Sequence, residues 1–127
     1  MEHRASILEN LKLYERALAD YRVMQKEHYD DGTAFKEARC LEKLNRREEA
    51  IACLSNLLKH NDDDDAAYEA RGNLLVKQGK LKEAVADYSM AIQLLPSATL
   101  YKERADTYAK MGRKDLAARD RKEAERL

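Results

Sequence analysis

The chain has 127 residues, and its 24 lysines and arginines balance 24 aspartates and glutamates, so no electrostatic attraction to nucleic acid or an anionic membrane is expected. One proline, four glycines and 38% charged residues favour an all-helical chain. No run approaches the roughly 20 apolar residues that span a bilayer, and no hydrophobic signal core opens the chain, so the expected location is the cytoplasm.

The chain repeats itself, because small and apolar residues recur in columns at nearly constant spacing. Three columns share the same three intervals: Ala5, Ala38, Gly72 and Ala105; Ala17, Ala50, Ala84 and Ala117; and Met24, Leu57, Ala91 and Ala124. Such a period indicates stacked supersecondary units, each too small to bury its own apolar face. We therefore predict one domain over 1–127 with four repeats, at about 1–30, 31–64, 65–97 and 98–127.

Within each repeat, apolar residues recur at helical spacing in two stripes, which predicts a pair of helices. The eight predicted helices cover 1–10, 14–27, 31–44, 47–59, 64–78, 81–94, 98–111 and 114–126. In the first repeat, Met1 falls at the place that Tyr68 occupies in the third, so the first repeat is expected to be truncated. In the second repeat, Asn45 stands in the turn where later repeats have glycine.

The third repeat has the clearest pattern of helix, turn and helix. Tyr68, Gly72 and Leu75 line one apolar stripe, Gly79 interrupts it, and a second stripe runs to Pro96. Gly79 suits the left-handed residue that ends many helices, and Pro96 prevents the second helix from continuing. Gly72 is expected to let the two backbones approach closely.

Four consecutive aspartates, residues 62–65, precede the third repeat's first helix. Negative charge is favourable at a helix N-terminus, and Asp64 or Asp65 can cap the helix. The alternative is a calcium loop, but the run lacks the alternating ligands, central glycine and distant glutamate of such loops. The cap is therefore the preferred interpretation.

The last helix of the fourth repeat is polar on faces that would otherwise receive another repeat. Lys114, Arg121 and Glu125 stand where the third repeat has Leu81, Tyr88 and Ile92. A polar outer face is expected of a terminal repeat that caps a stack of repeats. The alternative is a basic recognition helix, which the interleaved acidic residues disfavour.

The third repeat resembles a tetratricopeptide repeat. The resemblance rests on Tyr68, Gly72, Leu75, Gly79, Ala84, Tyr88, Ala91 and Pro96 at their mutual spacings, and it extends over almost the whole chain. It implies a right-handed superhelix of paired antiparallel helices. The concave face of such a superhelix is built from the first helix of each pair, and a groove for a protein ligand is expected there.

No constellation of residues predicts catalysis, a metal site or a cofactor. Cys40 and Cys53 lie in separate predicted helices and lack ligand or redox spacing, so we expect reduced packing residues. The three histidines have no metal-binding spacing, and the isolated glycines do not form a phosphate loop. A non-catalytic role is therefore expected.

Side chains on the free faces of the first helices are the candidate ligand-binding residues. They are Phe35, Lys36, Arg39 and Lys43; Glu69, Asn73, Val76 and Lys77; and Lys102, Glu103, Asp106 and Lys110. Lys43, Lys77 and Lys110 share one column and are predicted to form a basic stripe along the groove. The alternative is that these lysines only complement helix dipoles and keep the surface soluble.

Tetratricopeptide modules that bind the C-terminal tails of heat-shock chaperones use a carboxylate clamp of lysine, asparagine and arginine side chains. Asn73 resembles one clamp position, but Glu69 stands where a lysine is expected and Glu103 where a second asparagine is expected. Two acids would repel the tail's carboxylate at short range. Clamp-type docking of chaperone tails is therefore disfavoured.

The leading hypothesis is an adaptor or assembly scaffold that binds an extended peptide or a partner's helix in its groove. Self-association through faces at the N-terminal end is a second hypothesis. The third is that the chain is an accessory domain of a larger enzyme or chaperone system.

Overall fold

The computed structural model describes residues 2–127, which form eight α-helices and no strand. The helices are α1 (Glu2–Asn10), α2 (Tyr14–Glu27), α3 (Asp31–Lys43), α4 (Arg47–His60), α5 (Asp65–Lys77), α6 (Leu81–Leu94), α7 (Ala98–Lys110) and α8 (Lys114–Arg126). Each bound agrees with its prediction to within one residue, and the all-α prediction is confirmed. Met1, which was predicted to begin the first helix, lies outside the described residues. None of the helices across 2–127 is long and apolar enough to cross a membrane.

Side-chain caps precede α3, α5 and α7, which are the first helices of the second, third and fourth repeats. Asp30, Asp64 and Ser97 precede α3, α5 and α7, and each side chain accepts a hydrogen bond of 3.0–3.1 Å from the backbone N–H three residues later. A cap of this kind stabilises a helix by about 1 kcal/mol. Of the two aspartates predicted to cap this helix, Asp64 and Asp65, Asp64 is therefore the capping residue.

One main-chain motif closes all four turns between paired helices in the described chain. The turn residue has positive φ in every case: 61° at Lys12 and Asn45, and 78° at Gly79 and Gly112. The residue after it donates its N–H to a carbonyl five residues back, over 2.8–2.9 Å. This pattern is the left-handed C-terminal motif of helices. The prediction for Gly79 is confirmed, and Asn45 and Lys12 adopt the same conformation with a side chain.

The chain divides into two compact units, one running to His60 and the other from Asn61 to Leu127. We call them the N-terminal unit and the C-terminal unit, and each contains two of the predicted repeats. In the N-terminal unit, α1 packs on α2, α2 on α3 and α3 on α4. In the C-terminal unit, α5, α6, α7 and α8 pack in the same sequential order. Sequential packing of this kind is typical of repeat proteins.

Small residues make close helix packing possible in both units. Ala17, Ala50, Ala84 and Ala117, one from each repeat, are almost completely buried. A Cβ added at Gly72 would lie 2.9 Å from Cε1 of Tyr88, so the glycine is needed where α5 meets this ring. Larger buried side chains, including Tyr21, Leu54 and Tyr88, complete the cores.

Candidate functional site

The twelve candidate ligand-binding residues lie on first helices, and none is fully buried. Four are on α3 in the N-terminal unit, and eight are on α5 and α7 in the C-terminal unit. We call the set on α3, together with the residues of α1 that contact it, the N-terminal face. We call the set on α5 and α7 the C-terminal face. The exposed members are Arg39, Lys43, Lys77, Lys102, Asp106 and Lys110. The half-buried members are Phe35, Lys36, Glu69, Asn73, Val76 and Glu103.

On the N-terminal face, acidic residues of α1 neutralise two of the predicted cations. Lys36 Nζ lies 2.8 Å from Oε1 of Glu2, and Arg39 forms a two-pronged ion pair with Glu9, in which Nη2 to Oε1 is 2.7 Å. The hydroxyl of Tyr21 also donates to Glu9, over 2.7 Å. These contacts, with the Arg39 hydrogen bond foremost, lower the pKa of Glu9.

Sequence reasoning did not single out Glu2 and Glu9, although both stand on the first helix of a repeat, where ligand residues were sought in the other three. Because they are two helical turns apart, both lie on one side of α1. This spacing could have identified Glu2 and Glu9 as members of the same face. As a result, Lys36 and Arg39 are committed to intramolecular ion pairs.

On the C-terminal face, two glutamates from neighbouring first helices approach each other. Burial, followed by the neighbouring Glu69 carboxyl group, raises the pKa of Glu103 to about 8. Oε1 of Glu103 is buried and has no hydrogen-bond partner within the part of the chain described. Near neutral pH the carboxyl group of Glu103 is therefore mostly protonated.

A hydrogen-bond chain from the core fixes the orientation of Asn73 beside this pair. The Tyr88 hydroxyl of α6 donates to Oδ1 of Asn73 over 2.6 Å. The amide nitrogen of Asn73 is then left to donate to Glu103, which partly opposes the rise in the pKa of that carboxyl. The C-terminal face is thus a preorganised polar surface at its centre.

The remaining charges of the C-terminal face are more exposed. Asp106 lies 3.5 Å from Nη2 of Arg121, in an ion pair whose side chains are both largely solvated. Lys77 and Lys110 each stand in the last turn of their helix, as Lys43 does in α3. That position fits the helix-dipole interpretation, while the basic stripe stays a prediction.

Three ion pairs that contain a buried aspartate tie the two helices of a repeat together in the described chain, and sequence reasoning missed them. Arg4, Arg71 and Arg104 donate from Nε and Nη2 to both carboxylate oxygens of Asp20, Asp87 and Asp120, over 2.6–2.8 Å. The three aspartates are almost completely buried. The three arginines and the three aspartates are each spaced by whole repeats. The repeat period of the sequence could therefore have revealed these pairs.

The two cysteines have no disulfide partner. Burial raises the pKa of Cys40 to about 11 and that of Cys53 to about 12, so both thiols are protonated near neutral pH. Cys53 donates its S–H to the carbonyl of Ala34 over 3.3 Å. Both cysteines act as packing residues. Over residues 2–127, no three histidine, cysteine, aspartate or glutamate side chains group where they could hold a metal ion.

Comparisons with known proteins place these observations in a family. The family model described as tetratricopeptide repeat matches residues 35–99. Tetratricopeptide repeat protein 13 of Homo sapiens is 32% identical over 111 residues, which cover 82% of this chain but only 13% of that protein. The chain therefore spans about an eighth of the length of this relative.

Solved structures share the fold at low sequence identity. MamA (41-end) from Desulfovibrio magneticus RS-1 matches with a TM-score of 0.88 at 17% identity, over 99% of this chain and 72% of that chain. YrrB, described as a TPR protein with an unusual peptide-binding site, matches with a TM-score of 0.81 at 19% identity, over 94% of this chain and 63% of that chain. At these identities the likeness establishes the fold alone.

Proposed function

The chain belongs to the tetratricopeptide repeat family, whose fold is that of a protein–protein interaction scaffold, and we propose that it binds an extended peptide or a partner's helix through its first helices. The proposed binding surface is the C-terminal face, with an adaptor or assembly role for the whole protein. The two free thiols fit a reducing compartment, and the cytoplasm is the location we propose.

The polar network at the centre of the C-terminal face is the observation that carries this proposal. Tyr88 holds Asn73, and Asn73 holds Glu103 opposite Glu69. Side chains that are already ordered before binding lose little conformational entropy when a flexible ligand arrives. The described peptide-binding site of YrrB, a protein of the same fold, adds support for a peptide as the ligand.

Charge-reversed variants of the C-terminal face test the proposal. Partners would first be captured with the intact protein and identified, and their affinity would then be measured for the wild type and for Lys77→Glu and Lys110→Glu. Both variants should weaken binding by about tenfold, equivalent to about 1.4 kcal/mol, with unchanged helical content by circular dichroism.

Lys82→Glu is the matched control, because Lys82 is an exposed lysine of the same unit on the second helix α6. This variant should bind like the wild type. Equal affinity of all four proteins would remove the C-terminal face as the binding surface.

Self-association is a second candidate function, and exposed apolar residues favour it. Ile7, Leu11, Leu13 and Val23, on α1, α2 and the turn between them, are 45%, 63%, 42% and 41% exposed. Exposed apolar residues concentrated in one region are a feature of interaction surfaces. Light scattering over a concentration series should show dimers that Leu11→Glu abolishes, and a strictly monomeric wild type would exclude this function.

A further inference from the structure

The second repeat lacks the ion pair that ties the helices of the other three. At the arginine position it has Glu37, and at the aspartate position it has Cys53. Both replacements follow the repeat intervals, so these are the same places in the fold. Neither residue can rebuild the pair, because one end is acidic and the other is a protonated thiol.

A cavity of about 430 Å³ lies beside these two residues, between α2, α3 and α4 of the N-terminal unit. Its lining includes Arg22, Gln25, Ala34, Glu37, Leu41 and Cys53. None of the four candidate residues of α3 lines it. The cavity is therefore separate from the N-terminal face.

The fourth repeat shows what occupies the corresponding space in this fold. There the guanidinium of Arg104 lies over the rings of Tyr101 and Tyr108, 5.5 and 5.8 Å from their centroids. It donates to Asp120 over 2.7–2.8 Å, and also to Ser89 Oγ over 3.0 Å. In the fourth repeat, a guanidinium with several partners therefore stands at this place.

Three side chains at the corresponding places of the second repeat are smaller, whereas Arg22 of α2 takes the place of Ser89. Two repeats earlier in the chain, Ala34 and Leu41 replace Tyr101 and Tyr108, and Glu37 replaces Arg104. The lost ring volume and the shorter chain of Glu37 leave the space open. The cavity thus has the place, and part of the surroundings, of a missing arginine side chain.

Glu37 is the acidic group of this cavity that has no cation. It makes no ion pair within 4 Å among residues 2–127, whereas Arg22 at the same cavity lies 3.5 Å from Glu49. Burial raises the pKa of Glu37, although the Gln25 amide and the more distant charge of Arg22 oppose the rise. Because Arg22 is paired with Glu49, the half-buried Glu37 carboxyl group gains from a further cation that enters the cavity.

We propose that this cavity binds a guanidinium group, which pairs with Glu37 and takes the place that the Arg104 guanidinium has in the fourth repeat. A planar guanidinium can donate two parallel hydrogen bonds to one carboxylate, as Arg71 and Arg104 do within their own repeats. The cation comes from an arginine side chain of a protein partner or from a small guanidine compound. This site is independent of the C-terminal face and of the function proposed for it.

An NMR titration of the full chain tests the proposal with defined probes. The probes are a capped Gly-Arg-Gly peptide, free L-arginine, and the same peptide with citrulline, which is neutral but has the same shape as arginine. The arginine peptide should shift the backbone amide resonances of the cavity-lining residues in α2, α3 and α4 in a saturable manner. The citrulline peptide should bind at least tenfold more weakly, because it cannot form a charged pair.

The two arginine probes distinguish the sources of the guanidinium. Tighter binding of the peptide than of free arginine assigns the site to a partner's side chain, and equal or weaker binding of the peptide assigns it to a small guanidine. No saturable shift with either probe, or equal binding of the citrulline peptide, overturns the proposal.

Two variants locate the site. Glu37→Gln removes the charge with little change of shape and should weaken arginine binding at least tenfold. The double variant Glu37→Arg, Cys53→Asp rebuilds the ion pair of the other repeats, so it should fill the cavity, abolish binding and raise the melting temperature. Unchanged binding by folded Glu37→Gln contradicts the proposal even where the double variant folds poorly.

Discussion

Lys12 and Gly79 occupy equivalent turns, but only the glycine adopts positive φ without steric conflict. An L side chain in the left-handed region has a conformational cost of about 1–2 kcal/mol. No atom lies within 4 Å of a Cβ built at Gly79, so a substitution there tests the backbone alone. The identity of the turn residue should therefore decide stability at both places.

We expect Lys12→Gly to raise the free energy of unfolding by about 1 kcal/mol and Gly79→Ala to lower it by a similar amount. Urea unfolding followed by circular dichroism measures both changes. Lys82→Ala, at an exposed helical position, should change stability little. Destabilisation by Lys12→Gly would show that the Lys12 side chain outweighs its backbone strain.

Loss of a buried aspartate from its ion pair should lower stability more than loss of an exposed one. Asp120 is 2% exposed and accepts two hydrogen bonds from Arg104, so its replacement leaves a half-buried arginine without its anion. We expect Asp120→Asn to lower the free energy of unfolding by about 2 kcal/mol, less than for a fully buried pair because Arg104 reaches solvent.

The matched control for this substitution is Asp106→Asn. Asp106 also pairs with an arginine in the C-terminal unit, but both side chains of that pair are exposed. Its loss should change stability by less than about 0.5 kcal/mol. Equal effects of the two variants in urea unfolding would mean that burial does not determine the strength of these pairs.

At the scale of elements, the contact of α5 with α7 should make stability depend on pH. The pKa of Glu103 is raised from its ordinary value of 4.5 to about 8 in the folded chain, so between these values the folded state binds more protons than the unfolded state. Stability should then fall as the pH rises from 5 to 8. Because the site is partly solvated, we expect a loss of only about 1–2 kcal/mol.

Glu103→Gln removes the titrating group and should flatten this dependence, with the largest gain in stability at pH 8. Unfolding in urea at pH 5 and pH 8 measures the effect. Glu83→Gln, at an exposed acid of α6, is the control and should keep the slope of the wild type. If the wild type were more stable at pH 8 than at pH 5, the raised pKa of Glu103 would not be the cause of the pH dependence.

The helices were predictable because their signals are local. A capping aspartate or serine, a turn glycine and the apolar stripe of helical period each act within a few residues, so the bounds follow from neighbouring letters. The approach of Glu69 to Glu103 is not local, since it joins side chains from the first helices of two successive repeats. The sequence places both glutamates on first helices, but their mutual burial depends on side-chain packing that spacing does not specify.

The cavity beside Glu37 shows a different limit of sequence reasoning. The columns reveal that an arginine and an aspartate are missing from the second repeat, yet neighbouring side chains can close a space of this kind by moving. Whether a void remains depends on Ala34, Leu41 and the packing of three helices. The division into two units was not predicted either, because the repeat period continues across Asn61 with one added residue.

At the scale of the whole molecule, the two units should differ in local stability. The N-terminal unit has the cavity, one repeat without its ion pair, and turns at Lys12 and Asn45 that force side chains into positive φ. The C-terminal unit has glycine in both turns and an ion pair in both repeats. Repeat proteins open locally where individual repeats are weakest.

Hydrogen exchange measured by mass spectrometry should therefore show faster exchange in α1–α4 than in α5–α8. The double variant Glu37→Arg, Cys53→Asp should slow exchange in α3 and α4 and leave α7 and α8 unchanged. Uniform protection along the chain would mean that both units open in one cooperative step.

The turn motif recurs in all four repeats although lysine, asparagine and glycine occupy its central position. Because main-chain bonds hold this bend, the second repeat keeps its shape after losing the charged link between its helices. A repeat protein built in this way tolerates change in a single repeat. One repeat can lose a stabilising contact and bind a ligand at the vacated place, while the other repeats maintain the fold.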